Sequence, residues 1–154
     1  MKRNRDFILA GVAGTTAMSV YSYALSLIRK KDFREPELLA KLFRISKAQS
    51  WLIHYGVGIF FSGIYTVIWR KEGVSPLRSS ILFGLVTGLI AVGGWKATFR
   101  LHPGRAFNTG EFYLQLVLAH FVFCMMTAVV YEGRGAASFG LFVLTLLVTF
   151  TSDY

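Results

Sequence analysis

The chain has 154 residues, 54% hydrophobic and only 16% charged, with a mean hydropathy of +0.50. A soluble domain covers its surface with roughly a quarter charged residues, so this composition excludes a water-soluble fold and leaves no room for a separate soluble module within residues 1–154. The net charge of +9 comes from 17 Lys and Arg against 8 acidic residues, but these flank apolar runs, where they meet anionic head groups and set topology rather than bind nucleic acid.

Taken in chain order, the basic start Met1-Lys2-Arg3-Asn4-Arg5 precedes an apolar run from Phe7 to Ile28. That run is about twice the length of a secretory h-region, and it reads as a retained first helix. A membrane crossing needs about 20 mostly apolar residues. By that measure further spans are expected at 51–69, 77–99 and 112–131, with a shorter fifth at 136–151. The fold class is therefore all-α, an integral membrane bundle of about five transmembrane helices. Loops one and three fall on one side with ten Lys and Arg, and the remaining seven fall on the other. The positive-inside rule leans towards a cytoplasmic first loop, against the basic N-terminus.

The first loop is the longest. Glu37, Lys41, Arg44 and Lys47 recur at helical spacing opposite Leu38, Leu42 and Ile45, behind Pro36. This predicts a basic amphipathic helix in the interface, with Glu37 and Lys41 as an i,i+4 pair.

Each of the first four spans has one face of small or polar residues. The faces are Gly11, Thr15, Ser19, Ser22 and Ser26; His54, Gly58, Ser62 and Tyr65; Ser80, Gly84, Gly88 and Ala91; and Tyr113, His120, Cys124, Thr127 and Tyr131. Lipid gives no hydrophobic drive between helices, so close backbone approach and interhelical hydrogen bonds must hold them. These faces are expected to point at one another. Gly84 and Gly88 form a GxxxG pair that would also suit a homodimer.

Three histidines carry what chemistry the residues suggest. His54 and His120 fall within spans that run in the same direction, and His102 lies in the third loop on the side from which both are entered. Two imidazoles on facing helices suit a haem iron, and three would suit zinc or copper. Structural hydrogen bonding is the plainer reading, because no H-E-x-x-H spacing, no paired acidic residues and no evident carboxylate partner accompany them. In the third loop, Arg100, His102 and Arg105 are candidates for contact with a phosphate or lipid head group. No G-x-S-x-G and no phosphate-binding glycine loop occurs. Cys124 is the only cysteine, which excludes an internal disulfide.

The segments Gly11-Val12-Ala13-Gly14-Thr15-Thr16-Ala17-Met18, His54-Tyr55-Gly56-Val57-Gly58 and Gly63-Ile64-Tyr65 resemble small uncharacterised bacterial multi-pass inner-membrane proteins. That group has a Gly-Thr-Met first helix and a His-x-x-x-Gly second helix. The resemblance covers about the first 70 residues and implies a bacterial inner-membrane bundle with no assigned activity. The expected function is non-enzymatic: an accessory or interaction subunit of a larger membrane assembly, or a homo-oligomer, with the bilayer, other membrane subunits or itself as partner and no resident cofactor. The alternatives are a redox subunit holding haem or metal through His54 and His120, a small oligomeric transporter or channel, and a lipid-modifying enzyme using the third loop.

Overall fold

The computed structural model describes residues 3–31, 33–69, 76–102 and 109–131. These residues form helices and connections, with no strand among them. The helices are α1 (Arg3–Arg29), α2 (Glu35–Phe43), α3 (Lys47–Ile64), α4 (Pro76–Leu101) and α5 (Thr109–Tyr131), and α3 continues through a π-helical turn, Tyr65–Trp69. Three segments are long and apolar enough to cross a membrane: Phe7–Arg29, Arg78–Leu101 and Gly110–Tyr131. The expected fifth segment at 136–151 lies outside the described residues.

The helix expected in loop one is shorter than the spacing suggested. Pro36 and the acidic pair Glu35 and Glu37 occupy its first turn, and Lys41 occupies its last, an arrangement that complements the helix dipole. It ends at Arg44, which adopts a left-handed conformation (φ 54°). Ser46 then starts α3 with a full capping box, its hydroxyl accepting from the Gln49 N–H and Gln49 reaching back to the Ser46 N–H. The polar residues of loop one are thus shared between two helices. Glu37 pairs with Arg34 at 2.9 Å, upstream of the Lys41 expected from the spacing.

The small faces of α1 and α3 meet as expected, whereas the glycines of α4 meet Phe121 and Val117 rather than the small face of α5. α5 packs against both α1 and α4, and α3 packs on the other side of α1. A Cβ on Gly11 would lie 2.7 Å from the Ile59 Cα, and one on Gly14 would lie 2.8 Å from the Phe123 carbonyl oxygen. Only glycine admits such backbone approach. Hydrogen bonds cross the same seams: Ser62 donates to the Phe7 carbonyl at 2.8 Å and Thr127 to the Ala10 carbonyl at 3.4 Å. Leu9, Val20, Leu27, Leu52, Phe60 and Leu89 face outwards. Gly84 and Gly88 face Phe121 and Val117 of α5, so their GxxxG pair is used within the chain.

The two ends of the bundle differ. At one end the π-helical turn brings Tyr65 onto α4, where its hydroxyl and that of Ser79 lie 2.9 Å apart. At the other end α2 folds back over the bundle, fixed by a hydrogen bond from the buried Ser50 hydroxyl to the Pro36 carbonyl. The Phe33 N–H, just before α2, donates to Ser26 at 3.0 Å. Loops one and three share this end: Phe43 packs edge-on against His102, with centroids 5.1 Å apart, and Lys31 pairs with Glu111. α3 and α4 are closed against each other at the Tyr65 end, and an opening between them remains beneath α2.

Candidate functional site

That opening is the main cavity of the described residues, with a volume of about 330 Å³. Ile53, Val57 and Phe61 of α3 form one wall, and Ile90, Ala91, Gly94 and Trp95 of α4 form the other. Its polar groups converge from different elements: His54 from α3, His120 from α5, and Glu35 from α2, which covers the top. A smaller space of about 50 Å³ lies between Glu35, His54, His120 and Thr15. A third of about 180 Å³, lined by Ser19, Ser22, Arg34, Glu37 and Trp51, shares Glu35 and His54 with the others. Glu35 and His54 therefore line all three spaces, and the third forms a vestibule beside the cleft.

The hydrogen bonds fix the tautomers of the two histidines. The Ser19 hydroxyl donates to the Thr15 carbonyl at 2.7 Å, so its oxygen accepts from His54 Nε2, 3.2 Å away. His120 Nδ1 lies 2.8 Å from the Leu116 carbonyl, which only accepts, so Nδ1 carries the proton. In their neutral forms both rings then keep an acceptor nitrogen, His54 Nδ1 and His120 Nε2. The hydroxyls behave alike: Thr15 donates to the Gly11 carbonyl and Thr98 to the Gly94 carbonyl, at 2.8 and 2.9 Å. The site offers acceptors and few donors.

Glu35 was not foreseen as a partner of the histidines. It stands in Arg34-Glu35-Pro36-Glu37, where a carboxylate reads as an ordinary first-turn charge. Only the fold-back of α2 carries it over the bundle. Its one visible signal is proline at the next position, which starts a helix and directs the chain back. Burial pushes its carboxyl up to about 8, while a hydrogen bond from the Trp95 side chain pulls it the other way. A group held so far from its ordinary value in a cleft marks a candidate functional site.

The other expected residues are placed apart. His102 hydrogen-bonds the Thr98 carbonyl through Nδ1 at 3.1 Å and packs on Phe43, outside the cavity. No group of three metal-binding side chains forms among the described residues, and His102 does not join the other two histidines. Arg100 is exposed at the end of α4, and Arg105 lies outside the described residues. Lys96 of α4 sits over the Tyr113 ring at 5.5 Å. No protein-family model, curated protein or solved structure matches this chain.

Proposed function

We propose that this chain is a non-enzymatic membrane protein that binds a small amphipathic molecule in the cleft between α3 and α4. The observation that carries this reading is the cavity of about 330 Å³, apolar along both walls, whose lining includes the polar cluster Glu35, His54 and His120. A ligand whose apolar body enters between the helices and whose polar end reaches that cluster fits this distribution. Such a volume lies in the ordinary range for small-molecule sites, about 300–1,000 Å³. In this reading α3 and its π-helical turn supply a further crossing besides the three long apolar helices, and the cleft opens sideways to the acyl chains. The resemblance of the first two spans would place the protein in a bacterial inner membrane. The role of accessory subunit is compatible with ligand binding, since a small binding protein can deliver its ligand to a larger assembly.

The test is the native mass of the protein, gently extracted from its own membranes. Wild type should carry an amphipathic molecule of constant mass. Gly94→Leu should lose it, because a Cβ there meets nothing within 4 Å and the added side chain fills the cavity without a clash. A bare wild-type chain would sink the reading. An excess matching haem would instead make His54 and His120 its ligands.

A further inference from the structure

Resting on the binding reading above, we propose that the cavity takes lipophilic organic cations, with the Glu35 carboxylate as counter-ion and one proton released as each cation enters. The sign of the charge on the walls carries this. The chain is strongly basic, with a net charge of +9, yet among the described residues no Lys or Arg lines either the cleft or the inner space. The one carboxyl lining both is Glu35. The other carboxyl nearby, Glu37 in the vestibule, is engaged by Arg34 at 2.9 Å.

Hydrogen bonding points the same way. Thr15, Ser19 and Thr98 spend their protons on helix carbonyls, and the two imidazoles present acceptor nitrogens. An anion would find no cationic side chain among the described residues that line the cleft. A cation finds a carboxylate, two ring nitrogens and the aromatic faces of Trp95 and Phe61, which attract positive charge. An ion in so apolar a place needs a counter-charge. An organic cation with its charge spread over an apolar body is the class least penalised on leaving water.

The exchange balances in charge and atoms. Protonated Glu35 plus a free cation gives the carboxylate–cation pair plus a proton, which leaves through the vestibule lined by Ser19, Ser22 and Arg34. The titratable and charged groups facing Glu35 are Tyr23 from α1, Arg34 and Glu37 beside it on the chain, His54 from α3 and His120 from α5. α4 contributes Trp95 and Thr98, which do not titrate. The carboxyl of Glu35, at about 8, holds its proton at neutral pH until a cation replaces it.

Three isosteric probes separate this proposal from the reading beneath it: methyltriphenylphosphonium, neutral 1,1,1-triphenylethane and methyltriphenylborate. Each is dialysed to equilibrium against the full chain in nanodiscs, with empty nanodiscs as blank, between about pH 5 and 9. The cation should bind saturably and most tightly. Its affinity should rise about tenfold per pH unit below the Glu35 titration and level off above it. Glu35→Gln should weaken it at least about tenfold at high pH and flatten the profile, whereas Glu35→Asp should keep the slope. Equal or better binding of the borate or the neutral probe, lost in Gly94→Leu, overturns the cation class and leaves the cavity reading standing. Binding of none of the three overturns both. A cation profile unchanged in a folded Glu35→Gln variant overturns the exchange.

Discussion

At the scale of single residues, Glu35 has a signature that appears without any ligand. Its carboxyl is raised by burial to about 8 from its ordinary value of 4.5. The folded state therefore holds a proton that the unfolded chain gives up once the pH passes its lower value. Between those two values the folded state binds more protons, so stability falls as pH rises, and the loss is complete above about 8. Relative to wild type, Glu35→Gln should gain in melting temperature from pH 5 to pH 8, and it should melt higher at pH 8. A variant that follows wild type over this interval would show that Glu35 is not held in an apolar place. The histidines were legible in the sequence because polar residues within apolar spans are few. Glu35 was not, because it lies 19 residues before His54, and nothing local distinguishes it from Glu37. Their different fates, one over the cavity and one paired with Arg34, are set by which side of α2 faces the bundle.

At the scale of helices, close approach between small residues is the main holding device. Gly11→Ala and Gly14→Ala put a methyl group against the backbone of α3 and α5 respectively, and each should cost about 1–3 kcal/mol through forced separation. Gly93→Ala meets open space and should be neutral or stabilising by up to about 1 kcal/mol, since glycine is a poor helix former. Thermal unfolding in detergent ranks the three. Equal losses at all of them would mean that the seams are not where the glycines place them. A second contrast concerns the lid helix. Ser50→Ala removes a buried hydroxyl that holds the Pro36 carbonyl and should cost about 1 kcal/mol or more. Lys31→Ala removes an ion pair whose lysine is half exposed and should cost less than about 1 kcal/mol. These faces could be read from residue steps of three and four alone, because membrane packing selects small and hydroxyl side chains wherever helices touch. The break at Arg44 could not. Leu42 and Ile45 continue the helical pattern, while the left-handed turn between them reflects the docking of α2 and not its own periodicity.

At the scale of the whole molecule, one bundle holds together an outward apolar surface, a seam of small residues and an acceptor-rich cleft under a short helix. The order of the apolar segments and the side shared by loops one and three were legible, since both follow from span length and parity. The cleft was not, because it depends on α3 and α4 closing at Tyr65 and Ser79 while staying apart under α2. That asymmetry arises from contacts between residues that the sequence keeps far apart. The account stands or falls on whether lipid-borne molecules reach the cleft. Trp95 lies in its wall and is only 9% exposed, so the most direct measurement is the fluorescence of a chain keeping Trp95 alone, with Trp51 and Trp69 replaced by Phe. Reconstituted in bilayers with brominated acyl chains, this protein should be strongly quenched, and Gly94→Leu should relieve most of the quenching by filling the cavity. Weak quenching, or quenching unchanged by Gly94→Leu, would mean that the cleft is closed to the bilayer and would contradict the account.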